Sequence, residues 1–226
     1  MLGLLTLTAI PTVIGVGQGV SQQRAQNASK ADEKRMAKFY LEAQYESRST
    51  RAREVQGKRV VLRDGKVEIS HKCGAWKAYS PGLTSVETQA YLSSSSGKPS
   101  YTLCAFYIEY PDEERKPAPL GLVSQVADDP PMLNWIYVDK NTMELKHGNR
   151  SQSREHHVGP WDWTEEDEIG LTFEGWEGFV AVQDDEGEWQ LFFDRNDDGL
   201  KDFVGKRRRK LEVTLERILC DNEKKD

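Results

Sequence analysis

The pattern of hydrophobic and polar positions changes twice along the chain. Residues 1–20 carry no charged side chain. Residues 21–57 place apolar side chains at helical spacing, and from residue 58 onward apolar and polar positions alternate with the period of a β-strand. The pattern predicts an apolar N-terminal segment (1–20), an amphipathic helix or linker (21–57), a β domain (58–220) and a polar tail (221–226).

The first zone has about the length that an apolar helix needs to cross a bilayer. No Lys or Arg precedes it, which counts against a secretory signal, whereas Arg24, Lys30 and Lys34 follow it. A basic flank on this side favours a membrane anchor that leaves the rest of the chain in the cytoplasm. We expect that arrangement slightly ahead of secretion after removal of a signal, and a buried helix is the third alternative.

The second zone reads as an amphipathic helix. Ser29 is a suitable N-cap, and Asp32 and Glu33 follow in the first turn, where the helix dipole favours anions. The apolar stripe consists of Met36, Phe39, Tyr40 and Ala43. We expect this stripe to pack on the main domain and the helix to end at Gly57.

The third zone predicts a mainly β fold. Residues 58–63 and 66–70 flank an Asp-Gly dipeptide and form a hairpin pattern. Further strands are expected at 103–110, 120–126, 133–139, 143–147, 169–174, 179–183, 189–194 and 210–219. The short spacing leaves no room for crossover helices, so we predict a single antiparallel β-sandwich or barrel-like domain. A Ser-rich mobile insertion is expected at 80–101.

Composition narrows the class of protein. The chain has 226 residues, of which 37% are hydrophobic and 30% charged, and the net charge is -6. This excludes a disordered chain and a multi-span membrane protein. The acidic balance argues against nucleic-acid binding. Three cysteines do not make a disulfide framework, which favours the reducing side of a membrane.

An acidic loop after the 189–194 strand has the pattern D-x-N-x-D-G-x-x-D, which places hard oxygen ligands around a tight turn. The expected calcium ligands are Asp194, Asn196, Asp198, the carbonyl of Leu200, and Asp202. Because position 205 is Gly instead of Glu and the flanks are strand-like, the loop resembles the calcium loops of FG-GAP-type and thrombospondin-type repeats more than an EF-hand. A polar hairpin turn is the alternative, since Asp and Gly favour turns by conformation alone.

Trp161, Asp162 and Trp163 form a second candidate site. In an extended segment both indoles share one face and the carboxylate lies on the other. A flat ligand or a carbohydrate would stack on the rings, and carboxylates nearby would supply an acid and a base. The alternative is two core tryptophans followed by a solvated acidic loop.

Five consecutive basic residues form a third candidate, Lys206, Arg207, Arg208, Arg209 and Lys210. They are suited to an anionic membrane surface, above all if residues 1–20 also touch the membrane. The alternative is a solvated loop that pairs with the acidic segments 162–168 or 184–188.

Five stretches carry a resemblance to known sequences: MLGLLTLTAIPTVIGVGQGVSQQR, GKRVVLRDGKVEI, LNWIYVDKNTMELKHGNR, VGPWDWTEEDEIGLTFEGWEGFVAV and EWQLFFDRNDDGLKD. The chain resembles a family of uncharacterised conserved proteins from filamentous ascomycete fungi. The resemblance implies a fungal source and a native N-terminal segment. It implies no activity, cofactor or catalytic residue.

Three functional hypotheses follow. The first is a non-enzymatic binding or scaffold module, tethered to a membrane, because no complete catalytic constellation is recognisable in the sequence. The second is a small-molecule-binding enzyme of the lyase or isomerase type, accessory to fungal secondary metabolism, that uses Trp161 and Trp163. The third is a secreted β-sandwich with one structural calcium ion.

Overall fold

The computed structural model describes residues 33–45, 52–63, 66–69, 101–128 and 131–220. The expectations for residues 1–20, for nearly all of the insertion 80–101 and for the tail 221–226 fall outside these ranges. The chain divides into two compact units, Met1–Met36 and Ala37–Asp226. The described part of the first unit is a helical turn at residues 33–36.

The second unit is built almost entirely of β-strands. They are β1 (Phe39–Gln44), β2 (Lys58–Arg63), β3 (Lys66–Ile69), β4 (Tyr101–Thr102), β5 (Cys104–Glu109), β6 (Leu120–Asp128), β7 (Pro131–Val138), β8 (Leu145–Gly148), β9 (Trp161–Trp163), β10 (Leu171–Phe173), β11 (Phe179–Gln183), β12 (Trp189–Phe193) and β13 (Lys210–Leu219). Two short helices are α1 (Ala52–Val55) and α2 (Arg150–Ser153). No helix in the described ranges is long and apolar enough to span a membrane.

The main sheet closes on itself. Its order is β12-β11-β13-β1-β5-β6-β7-β8-β3-β2-β4, and β3 also pairs with β12. Nine of the described strands therefore form a closed antiparallel barrel. Because β1 also pairs with β2, the six strands β1, β2, β3, β12, β11 and β13 form a shorter closed ring within it. This confirms the predicted mainly β, antiparallel, barrel-like fold.

The closure between β3 and β8 is narrow. One register pair, Lys66 with Lys146, joins these two strands. The two like charges are bridged by Glu144, whose carboxylate lies 3.7 Å from the Lys66 ammonium and 3.1 Å from the Lys146 ammonium. By contrast, β1 and β13 share six register pairs.

The helix predicted across residues 21–57 is wrong where the structure describes the chain as β1. Burial alternates strictly along β1, because Phe39, Leu41 and Ala43 are buried and the residues between them are half-buried. Apolar residues at 36, 39, 40 and 43 imitate a helical stripe, but pairing with β13 decides the conformation. The β domain accordingly begins before residue 58. Gly57 still ends α1 and adopts φ +68°, which favours glycine.

The larger of two hydrophobic clusters among the described residues is rich in aromatic side chains. Trp161, Phe173, Phe179 and Phe193 are fully buried. The Trp161 and Phe173 rings lie 4.5 Å apart and the Phe173 and Phe193 rings 4.9 Å apart, which are favourable separations for tilted and edge-on contacts. The separate hairpin β9–β10 contributes to the same core, so it is fixed to the barrel.

A buried ionic group lies where β3 meets β12. The Arg63 guanidinium is 2.9 Å from the carboxylate of Glu68 and 3.5 Å from that of Glu188. Burial raises the pKa of Glu68 to about 7, against the lowering effect of Arg63. Glu68 pairs with Gln190 in the closing register, so its protonation is linked to barrel stability.

We predict that Glu68→Gln changes the pH dependence of stability. A carboxyl group whose pKa rises from 4.5 to about 7 on folding favours the folded state below pH 4.5, and this contribution is lost as pH rises to about 7. Relative to wild type, the variant should therefore gain up to about 3 kcal/mol of unfolding free energy between these two pH values. Urea unfolding at a series of pH values measures the difference.

Exposed Glu113 supplies the matched control, since Glu113→Gln should leave the profile unchanged. Burial lowers the pKa of His147 and His157, which gives both proteins the opposite slope, so only the difference between them reports on Glu68. Parallel profiles for wild type and Glu68→Gln would contradict the assignment.

Candidate functional site

The predicted aromatic site lies on β9, and its two tryptophans differ in exposure. Trp161 is fully buried in the core, whereas Trp163 is half-buried. The backbone carbonyl of Asp162 accepts a hydrogen bond from the Tyr107 hydroxyl at 3.2 Å. The segment is extended, but Trp161 has no ring surface available to a ligand. Ligand binding at these residues stays a prediction.

The chain places its own cation on Trp163. The Arg217 guanidinium carbon lies 4.3 Å from the centre of the Trp163 ring, 5.3 Å from that of Phe39 and 5.7 Å from that of Tyr107. The guanidinium also donates a hydrogen bond to the carbonyl of Glu168. Cation–π attraction is strengthened when the pair is shielded from water. Arg217 therefore covers one face of the Trp163 ring.

The predicted calcium ligands form a tight turn after β12. The Asp194 carboxylate accepts backbone N–H groups from Asp198 at 3.2 Å and from Gly199 at 2.6 Å. The carbonyl of Leu200 accepts from the N–H groups of Phe203 and Val204. These hydrogen bonds between groups of the loop itself hold it in a closed turn.

The remaining expected ligands lie at the surface of the same loop. Asn196 and Asp202 are exposed, and the Asp198 carboxylate is 3.2 Å from the Lys201 ammonium. Within the described ranges, no three His, Cys, Asp or Glu side chains are grouped as a metal ion requires. Calcium binding by this loop stays a prediction.

Two residues of the basic run, Arg208 and Lys210, contact other residues of the β domain. The Arg208 guanidinium lies 3.2 Å from the carboxylate of Asp185, a pairing that belongs to the alternative interpretation of the run as a solvated loop. Lys210 donates to the carbonyl of Gly199 at 2.6 Å and so holds the acidic turn. Lys206 and Arg207 are exposed.

A cavity that the sequence did not indicate lies beside these elements. Its volume is about 420 Å³, and it is formed by the end of β1, the segment 176–180, the turn after β12 and residues 212–214 of β13. Half-buried Tyr45 and Trp176 supply aromatic walls. The volume falls in the usual range for small-molecule sites.

Four acidic residues are among the lining residues of this cavity. Glu177, Asp194, Asp197 and Glu212 line it, and no lysine or arginine is among its described lining residues. Burial, together with the nearby carboxylates of Asp167 and Glu216, raises the pKa of Glu177. Acidic residues therefore lie beside aromatic surface in this cavity, and Glu177 holds its proton more readily than an exposed glutamate does.

Main-chain geometry fixes the two sides of the cavity. The Asp194 N–H donates to the carbonyl of Gly178 at 2.7 Å, which joins the turn to the segment that carries Trp176. The Trp176 ring lies 5.5 Å from the Phe193 ring. A Cβ at Gly178 would overlap the Trp176 indole, so glycine at 178 allows the ring its position.

Sequence reasoning missed this site because four distant segments form it. One local signal was present, the run Glu174-Gly-Trp-Glu-Gly178, in which two glycines bracket a tryptophan among acids. Such a run predicts a turn that presents an aromatic ring near the surface. Tyr45 was not recognised as a wall of the cavity because residues 21–57 were predicted to form a helix.

The model of the fungal beta-trefoil domain matches residues 15–221. The chain belongs to this family. No curated protein and no solved structure matches the chain significantly. The fungal beta-trefoil match confirms the prediction that the chain belongs to a fungal protein family. The restriction of that family to filamentous ascomycetes stays a prediction.

Membership in the fungal beta-trefoil family has two consequences. The match starts well before residue 58, in agreement with the place of β1 in the barrel. An all-β domain of this family supports a binding or scaffold module whose ligand is unidentified.

We predict that Asp194→Ala lowers the free energy of unfolding by about 1–3 kcal/mol, because two backbone N–H groups lose a charged acceptor. The neighbouring exposed Asn196 supplies the control, and Asn196→Ala should change stability by less than about 0.5 kcal/mol. Urea unfolding followed by circular dichroism measures both. Equal effects would show that the Asp194 carboxylate does not close the turn.

Repeating the series in calcium chloride tests the calcium prediction, since a bound ion would stabilise wild type.

Proposed function

We propose that this protein is a non-enzymatic binding module whose ligand enters the cavity between β1, β13 and the turn after β12. We further propose that the ligand carries an amine or guanidine group on a short apolar stem. The observation that carries the proposal is the pairing of aromatic walls with the exposed acidic residues Asp197 and Glu212 in one cavity of about 420 Å³.

The chemistry of the walls supports a cation. A carboxylate attracts an ammonium or guanidinium group, and an aromatic face adds cation–π attraction. Arg217 on Trp163 is an example of the same chemistry within this chain, where a guanidinium lies over an aromatic ring. The net charge of -6 also attracts cations from solution.

The fixed geometry of the cavity supports binding without large rearrangement. Both oxygens of Asp194 are used by backbone N–H groups, so this carboxylate maintains the turn. Asp197 and Glu212 are exposed and remain available to a ligand at the cavity mouth. A preformed site costs less ordering of side chains on binding.

We predict that cadaverine binds and that pentanediol, which replaces its two ammonium groups with hydroxyls, does not. Glu212→Gln should weaken cadaverine binding about threefold to fivefold, since it removes one partly screened charge. Trp176→Ala should weaken it about fivefold to tenfold through loss of cation–π and apolar contact. Isothermal titration calorimetry measures each affinity.

Exposed Glu113 again provides the matched control, because Glu113→Gln removes the same charge outside the lining residues. Gly178→Ala keeps every charge but displaces the indole, so it should weaken binding as Trp176→Ala does. Equal binding of pentanediol would contradict the cationic ligand. Chemical conversion of cadaverine, followed by NMR, would contradict a non-enzymatic role.

We also propose that the module is tethered to a membrane through residues 1–20 and the basic run. The exposed positions of Lys206 and Arg207 support this second part. Each basic residue near an anionic surface contributes about 1 kcal/mol of binding free energy.

We predict that the full chain sediments with vesicles that contain phosphatidylserine and less with pure phosphatidylcholine vesicles. The double variant Lys206→Glu, Arg207→Glu should lower the bound fraction by a factor of about ten or more. The control is Lys116→Glu with Lys140→Glu, which changes the charge equally at two other exposed positions. Equal losses in both double variants would contradict a role for the basic run.

A further inference from the structure

Two cysteines that lie far apart in sequence meet at the start of β1. Cys104 begins β5, and Cys220 follows β13 directly. Their Sγ atoms are 3.8 Å apart, which is a non-bonded contact between two thiols. A disulfide bond is about 2.05 Å long, so the sulfurs are about 1.7 Å further apart than in a covalent bond.

The sheet fixes the backbone of both residues. Cys104 stands opposite Tyr40 in the pairing of β5 with β1. The hydroxyl of buried Ser124 accepts from the Cys104 N–H at 3.2 Å and donates to the Cys104 carbonyl at 3.1 Å. The Cys220 N–H donates to the carbonyl of Lys38 at 3.0 Å. The two thiols meet because the strands on either side of β1 hold them there.

We propose that Cys104 and Cys220 are an oxidation site that forms an intramolecular disulfide. Both side chains are half-buried, so a small oxidant can approach them while a second protein is hindered. With a peroxide as the oxidant, one thiolate attacks the peroxide oxygen and becomes a sulfenic acid as the O–O bond breaks. The other thiolate then attacks the sulfenic sulfur, forms the S–S bond and releases water.

The electrons and atoms balance in this sequence. Two thiols lose two protons and two electrons, and one hydrogen peroxide becomes two water molecules. A dithiol reductant returns the two electrons and restores the thiols. The site therefore exists in two forms, with the reduced form expected in a cytoplasmic location and the disulfide in an oxidising compartment.

The disulfide would join the end of β13 to the start of β5 across β1. All the strands from β5 to β13 would lie in the closed loop. A covalent link over a loop of this length stabilises the fold mainly by restricting the unfolded chain. Oxidation should therefore raise the stability of the barrel without changing its strand pairing.

The test uses the full chain with Cys73→Ser, which removes the third cysteine. Treatment of the reduced protein with one equivalent of hydrogen peroxide should lower its mass by two hydrogens. Peptide mapping should find Cys104 linked to Cys220, and Tm should rise by roughly 5–10 °C, reversibly with dithiothreitol. Wild type should give the same linkage.

Cys104→Ser and Cys220→Ser in the same background are the matched controls, and neither should show the mass loss or the rise in Tm. Three results would overturn the proposal: oxidation to sulfinic acid without a crosslink, a disulfide-linked dimer, or preferential pairing with Cys73 in wild type. The mapping of Cys73→Ser protein decides the question even if a control variant does not fold.

Discussion

Strand β1 is the constraint on which the rest of the barrel depends. One of its edges pairs with β13 over six residues, and its other edge is shared between β2 and β5. Its inward side chains belong to the core, and its end carries Gln44 and Tyr45 to the cavity. The strands on its two sides bring Cys104 and Cys220 together. A single central strand thus positions the core, the cavity wall and the dithiol.

The aromatic rings around Trp163 and around Trp176 have neighbours of opposite charge. Trp163 and Tyr107 face the guanidinium of Arg217, so that group already contains its cation. Trp176 lies instead among carboxylates, with Glu177 next to it in the chain. The first arrangement contains its own cation, while the described lining residues of the second include no lysine or arginine.

The sequence predicted most strands because sheet formation is visible as local alternation. The hairpin of β2 and β3 was expected from its Asp-Gly turn, and β11 was expected with its observed bounds. The prediction failed at β1, where the spacing of Phe39, Tyr40 and Ala43 satisfies two periods at once and long-range pairing selects one. The cavity was not predictable by the same means, since Tyr45 and Trp176 are over a hundred residues apart. Ring contacts such as Arg217 on Trp163 are likewise tertiary and leave no local signal.

The narrow closure between β3 and β8 makes the two sides of the barrel unequal in their strand pairing. The ring formed by β1, β2, β3, β12, β11 and β13 is complete without β5 to β8. Separation of Lys66 from Lys146 breaks one register pair and leaves that ring intact. At the β3 end, the four strands β5 to β8 are joined to that ring by one register pair, by the bridge between Glu144 and Phe192 and by core side chains such as Leu122. Side-chain packing therefore closes this side of the barrel more than strand pairing does, while the cavity wall formed by β11, β13 and β1 belongs to the fully paired ring.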